Sequence, residues 1–320
     1  MKIRRILAVA TAGILVLGLS GVLSACTKPA AKQITIGMAN LYLGGPYFVG
    51  MRNAVQETGA SFGWKVNVSD AGGDSDKLLA DVENFISQKV NGIVISGAWL
   101  NDFPEVLNAA EKAKIPVVLV DRLTSSKNYS AWVGPDNPRI GEEVGKYFTQ
   151  LKPNGGVAVI IKGGPADNTI GIARTEGVLK GLNAAGNWTI EVSPDFGNWA
   201  TDGGKAAMEN MLAKLKKIDV VFCENDSMCL GAQSAAADAG RSDEMIFGGV
   251  DGQNEAIQEI LKGTNYKVTG YNDASVIGKI GTETLKKILD GQTVPHDFTV
   301  DSPMINIDNA AQYKDAGLWK

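Results

Sequence analysis

Histidine is nearly absent from this chain: among its 320 residues there is one, His296. Cysteine is almost as scarce, limited to Cys26, Cys223 and Cys229. None of these is spaced like the ligands of a metal centre, so neither a metal nor another cofactor is expected. An excess of charge of one sign is also missing, because 31 Lys and Arg against 35 Asp and Glu leave a scattered net charge of −4. A nucleic-acid footprint needs a basic patch, and this distribution excludes one. No Gly-x-Gly-x-x-Gly turn follows the first strand-like run and no phosphate-binding loop occurs, which leaves nucleotide chemistry without support. Long uncharged apolar runs are limited to one, from Ile6 to Leu23.

That run has a meaning of its own. Lys2, Arg4 and Arg5 precede it, and Leu23-Ser24-Ala25-Cys26 ends it. A basic start, an apolar middle and a small-residue cleavage site make a secretory signal peptide. The Leu-Ser-Ala-Cys ending resembles a bacterial lipobox, which implies lipidation of Cys26 as the mature N-terminus. Residues 1–25 are then the signal and 26–33 the anchor and linker. Such a chain is exported and held at a membrane by lipid without spanning it. The remainder, with 44% hydrophobic and 21% charged residues over the whole chain, has the composition and length of about two globular domains. Cys223 and Cys229 invite a disulfide in an oxidising compartment. They sit where a strand runs into a helix, a separation that favours two buried thiols instead.

From Gln33 onward, short β-rich runs alternate with amphipathic helical stretches. ITIGMA (34–39), KVNVSD (65–70), GIVIS (92–96) and PVVLVD (116–121) read as buried strands. Between them, Phe48, Met51, Val55 and Phe62, then Leu78, Val82, Phe85 and Ile86, recur at three- and four-residue spacing. The pattern restarts with GVAVII (156–161), WTIEVS (188–193), VVFC (220–223), MIFGGV (245–250) and KVTGY (267–271), and a last helix covers about 274–290. Glycines such as Gly63, Gly92, Gly186, Gly240, Gly263 and Gly291 read as helix stops. Alternation of this kind means parallel sheets covered on both faces. Two strand sets predict an α/β protein with two doubly wound lobes. The crossover is expected in WVGPDNPRIGEEVGKYF, with Gly134-Pro135 as the turn, Asn137 as the N-cap and Pro138 at the first helical position.

Ligands of open α/β sheets bind beyond the carboxyl ends of the strands. Asn40 and Gly44-Gly45-Pro46-Tyr47-Phe48 stand after the first strand, Trp99 after the third and Asp121-Arg122 after the fourth. The second half places Asn168 and Arg174, Asn198-Trp199, Asn225-Asp226, Asp251-Gly252 and Asn272-Asp273 likewise. A hydroxyl both donates and accepts, so carboxylates, amides and guanidinium groups suit a polyhydroxylated small molecule. Its apolar C–H faces stack on rings such as Phe48 and Trp199. A phosphate-bearing ligand would want more Lys and Arg. Each residue also has a plainer reading: Asp and Asn after a strand form turns or cap helices, and Phe48 has core spacing.

At these blocks the chain resembles the ribose- and galactose-type periplasmic sugar-binding proteins, the substrate receptors of ABC importers. The resemblance runs from about Ile34 to about Ile307 through GPYFVGMRNAVQ, IPVVLVDR, GPDNPRIGEEVGKYF, VVFCENDSMCLGA and GGVDGQNEA. It implies the type I periplasmic binding protein fold, with two lobes joined by a three-crossing hinge. The lobes are expected at 34–136 plus 273–300 and at 137–272 plus 301–320, with the terminal segment bracing the hinge. It further implies that Phe48, with its neighbour Tyr47, and Trp199 sandwich the sugar ring. Asp121 and Arg122 match the hydroxyl-binding pair, and Asn225, Asp251 and Asn272 further polar contacts. Gly45-Pro46 replaces the family's Asn-Pro, Val250 its phenylalanine, and Ile172-Ala173-Arg174 its Arg-Glu-Arg. Arg174 is then either a contact or a structural arginine, with Asn168 as a compensating donor. These changes leave the ligand open among pentoses, hexoses, cyclitols and furanoses.

The expected function is that of an extracytoplasmic binding lipoprotein, a monomer, which captures a sugar or polyol between closing lobes and hands it to an ABC permease. Receptors for another polar solute, feeding a sensor or chemotaxis partner, read the same closure. A carbohydrate-active enzyme is not expected. Asp121 and Asp251 suit acid–base work on a glycoside in principle, but hydroxyl binding explains both. A repressor on the same lobes needs an N-terminal helix-turn-helix, where the signal peptide stands.

Overall fold

The computed structural model describes residues 33–100, 102–164, 169–184 and 187–319. The expected signal peptide at 1–25, Cys26, Asn168 and Gly186 lie outside the described residues. In the first half the four apolar runs become β1 (Thr35–Asn40), β2 (Lys65–Asp70), β3 (Gly92–Ser96) and β4 (Val117–Val120), and a fifth strand not among them, β5 (Ala131–Pro135), follows. The two amphipathic stretches become α1 (Pro46–Ser61) and α2 (Ser75–Ser87), and a third helix, α3 (Pro104–Lys112), lies between β3 and β4. The second half repeats the plan with α4 (Asn137–Leu151), β6 (Gly156–Ile161), α5 (Ile170–Asn183), β7 (Trp188–Val192) and α6 (Thr201–Lys214). It continues through β8 (Val220–Cys223), α7 (Asp226–Asp238), β9 (Ile246–Asp251), α8 (Asn254–Leu261) and β10 (Tyr266–Tyr271). Last come α9 (Ala274–Leu289), β11 (Asp297–Val300) and β12 (Met304–Asn306).

The strands form two six-stranded sheets, ordered β11-β5-β4-β3-β1-β2 and β12-β10-β9-β8-β6-β7. Within the described residues every pairing is parallel except the antiparallel β10–β12. Each order reverses direction once, beside β1 and beside β6, and that reversal opens a crevice at the carboxyl ends. Side chains alternate across each sheet, so each strand feeds two layers of core. Ile93 and Ile95 pack toward α2 and α3, while Val94 packs with Met51, Val55, Ile277 and Leu285 of α1 and α9. In the second sheet Val159, Val221 and Cys223 face α6 and α7, and Ile160 and Phe222 face α4 and α5. Cys223 and Cys229 are free thiols buried in this core.

Several local expectations shift. The cap of α4 is Asp136, whose carboxylate accepts from the Arg139 N–H at 3.2 Å, and Asn137 is the first helical residue. Asn137 is occupied elsewhere, since its Oδ1 accepts from Arg174 Nε at 2.8 Å. Gly134-Pro135 is not a turn but the end of β5, paired there with β11. Gly92 opens β3; the left-handed residue that closes α2 is Lys89, at φ 55°, with its N–H on the Ile86 carbonyl. Strands β11 and β12 escape the sequence reading because they are short and only partly buried.

Helices α4 and α5 approach through Gly141 and Gly145 on one and Gly177 and Gly181 on the other. A Cβ on any of them would press into backbone of the facing helix. This contact fixes Arg174 of α5 against Asn137 of α4. Valine at 177 has to force the helices apart, at about 1–3 kcal/mol. Gly177→Val is expected to lower Tm by several degrees in a thermal melt. An unchanged or raised Tm would show that helix propensity, not this packing, governs the position.

Candidate functional site

Both sheets turn their carboxyl ends to one cleft, which encloses about 630 Å³ of empty space counting the part open to solvent. From the first lobe come Tyr47 and Phe48 at the start of α1, Trp99 after β3, and Asp121 and Arg122 after β4. The second lobe contributes Arg174 from α5, Trp199 before α6, Asn225 before α7, Asp251 at the end of β9 and Asn272 after β10. Asn40 is not among the lining residues. It is fully buried, and its amide donates to the carbonyls of Ser69 and Met38 at 2.9 and 3.3 Å.

Polar groups hold one another in place. Tyr47 donates its hydroxyl to Asp121 Oδ1 at 2.9 Å, and the Trp132 indole binds the Asp121 carbonyl at 3.1 Å. Arg122 is 3% exposed; its Nε donates to the Ala98 carbonyl and its Nη1 to Thr169 Oγ1, both at 2.7 Å. The second of these bonds spans the cleft. Arg174 is 2% exposed and donates from Nη1 to the Glu224 carbonyl at 2.6 Å, with Asp251 Oδ1 at 3.3 Å. Asn272 donates to the same Asp251 oxygen at 3.1 Å, while its own buried Oδ1 has no partner. Asn225 fits its plainer reading as well, since its Oδ1 caps α7 at Met228 N and its Nδ2 donates to the Trp199 carbonyl.

The backbone here is strained. Ala98, Asp121, Trp199 and Asp251 line the cleft with φ of 45°, 66°, 59° and 120°. Non-glycine residues in that region cost about 1–3 kcal/mol each and persist where the surroundings enforce them, often at functional sites.

Burial also sets the ionisation. It pushes Asp251 up to about 7, against the pull of Arg174. Burial and the nearby Asp251 charge push Asp226 up to about 8, although Tyr266, Thr269 and the Gln253 N–H all donate to it. Asp121 is raised by burial in spite of Arg174 and Arg122, and Tyr47 is raised by burial and by Asp121 and Asp251.

Ile170, Ser227, Gln253 and Trp319 complete the wall. Gln253 follows Asp251-Gly252 directly, and Ser227 follows Asn225 by two, so the strand-end rule was able to reach both. Ser227 donates to Gln253 Oε1 at 2.8 Å. Trp319 carries no local signal; only the fold brings it here.

Residues 36–293 match the family model described as a periplasmic binding protein domain. The chain belongs to that family. The family is one of solute-binding proteins and not of enzymes. The ribose import binding protein RbsB of Bacillus subtilis is 28% identical over 277 residues, 85% of this chain and 87% of that protein. An ABC transporter solute-binding protein from Mycobacterium smegmatis with bound glycerol superposes with a TM-score of 0.81 at 30% identity, covering 88% of this chain and 96% of that one. One from Actinobacillus succinogenes with bound D-allose gives 0.82 at 26% identity, covering 88% and 100%. The two parallel-sheet lobes are those of the type I periplasmic binding proteins.

The raised carboxyls make a pH signature. Asp226 and Asp251 keep their protons in the folded protein over a range where the unfolded chain, near 3.8, has lost them. Stability from these groups is therefore fully present below about pH 4 and lost as pH rises toward 7 and 8. In denaturant melts the wild type is expected to be more stable near pH 5.5 than near pH 8.5, with the gap smaller in Asp226→Asn. A wild type that gains stability over this interval would contradict the assignment.

Proposed function

We propose that this protein is an exported, lipid-anchored solute-binding protein, a monomer tethered at Cys26, that captures a monosaccharide or similar polyol and delivers it to an ABC import permease. Its lobes are residues 34–136 plus 273–300 and residues 137–272 plus 301–320, and they close about the three chain crossings. One observation carries the reading: carboxylate, guanidinium, amide and aromatic side chains from both lobes converge on a single cleft. Hydroxyls match that set because each donates to Asp121 or Asp251 and accepts from Arg122 or Arg174. Phe48 and Trp199 supply the apolar walls for a sugar ring. Relatives named for ribose import and structures holding D-allose and glycerol support the same ligand class.

Ligand makes its full set of contacts only when both lobes reach it, so binding draws the population toward closure. Discrimination follows from the buried groups left unpaired when a hydroxyl is missing or inverted, at about 1–3 kcal/mol each.

A thermal-shift screen of the purified protein against pentoses, hexoses and cyclitols tests the proposal. A ligand at a hundred times its Kd adds about 2.7 kcal/mol of stability, which raises Tm by several degrees. One or two panel members are expected to do so, and Asp121→Ala to cost about 1–3 kcal/mol of that binding. No shift with any member, in folded protein free of carried-over ligand, sinks the proposal.

A further inference from the structure

The segment after β12 touches both lobes. Ala310 is buried against the second-lobe core, and Tyr313 and Ala316 pack beside it. Asn254 Nδ2 pins the segment there by donating to the carbonyls of Lys314 and Ala316 at 2.8 and 2.9 Å. At Gly317 the chain turns with φ 63° so close to the Gly252 carbonyl that no Cβ fits. Trp319 then lands on the first lobe. Its ring meets Tyr47 edge-on, with centroids 5.2 Å apart, and lies over Gly50, where an added Cβ would come within 2.5 Å of the indole.

Asp273, the N-cap of α9, is the joint. Its Oδ1 accepts from the N–H groups of Ser275 and Val276 and from Trp319 Nε1 at 3.3 Å. Its Oδ2 accepts from the Gly317 N–H at 3.2 Å and the Tyr271 hydroxyl at 3.3 Å. The indole N–H is thus spent on the protein, so what Trp319 offers the cleft is apolar ring surface.

We propose that Trp319 is a ligand-contact residue that sets the size of solute the cleft accepts, carried across the lobes by residues 307–319 and oriented by Asp273 as a positioning residue. This rests on the sugar reading above and adds a wall to the same site. A ring fixed at the junction of the lobes meets the solute only in the arrangement that also seats Tyr47. Removing it opens room on one side of the cleft without touching Asp121, Asp251 or either arginine.

Titration calorimetry with a pentose and a bulkier hexose from the stabilising panel tests this in wild type, Trp319→Ala, Trp319→Phe and Asp273→Asn. Trp319→Ala is expected to weaken the smaller sugar about tenfold or more, the scale of one lost aromatic contact. The larger sugar loses less, so the ratio of the two Kd values moves in its favour. Trp319→Phe lies between, and guards against a fold lost to the alanine. Asp273→Asn shifts the ratio in the same direction with the indole still present. Equal losses for both sugars would make Trp319 merely structural and overturn the proposal, as would Kd values within twofold of wild type. A wild type that binds no sugar overturns it together with the sugar reading, whereas a wild type that binds normally isolates the failure to Trp319.

Discussion

Arg174 is the group on which the rest of the cleft depends. It stands in the second turn of α5, and three separate elements converge on its guanidinium: Asn137 of α4, the Glu224 carbonyl after β8 and Asp251 of β9. An unpaired charge at 2% exposure would be prohibitive, so the packing of α4 on α5 through glycine has an electrostatic purpose. It delivers the charge and its partners to one point. Asp251 gains less than it loses even so, since burial holds its carboxyl near 7 beside a cation. Desolvation exceeding Coulombic gain is the usual balance for a buried pair. Donors on the ligand proposed for this cleft would offset it.

Strain tells the same story in the backbone. Glycine would relax the left-handed conformations at Asp121, Trp199 and Asp251, but glycine carries neither carboxylate nor ring. Stability is given up at the strand ends and recovered in the layers behind them, where Val118, Val120, Val221 and Phe222 are fully buried. The carboxyl ends stay rigid because two cores clamp each sheet, one on either face. A binding surface set on such ends keeps its geometry before any ligand arrives, which lowers the entropic cost of binding.

Most of the frame was legible because parallel strands buried on both faces write themselves as continuous runs of Val and Ile. GIVIS and VVFC announced β3 and β8 in this way. Strands β11 and β12 were not legible, since DFTV and MIN are too short for periodicity and owe their pairing to neighbours far away in sequence. Within the cleft, Asp121, Asp251 and Trp199 lie where the strand-end rule puts them, because that rule depends on topology alone. Asn40 obeys the rule too, yet it is spent on the carbonyls of its own and the neighbouring strand. Cap positions followed hydrogen bonding finer than residue type, as the exchange between Asp136 and Asn137 shows. Trp319 was beyond reach, since nothing near it in sequence hints at a ring lying over Gly50.

The division of charge between the lobes bears on the closure proposed for this cleft. Asp121 and Arg122 come from the first, Arg174 and Asp251 from the second. Each half therefore carries one acidic side chain and one guanidinium, with burial raising both Asp121 and Asp251. Across the cleft Asp121 raises Asp251 as one acid beside another, while Arg174 lowers Asp121 as an opposite charge. One bond across the gap, Arg122 to Thr169, joins a cation to a neutral hydroxyl, and another joins the Asn272 amide to Asp121. A ligand shifts a conformational equilibrium only by its differential affinity for the two forms. Under the proposed closure, that difference comes from hydroxyls that meet groups of both lobes at once and from the rings that enclose them.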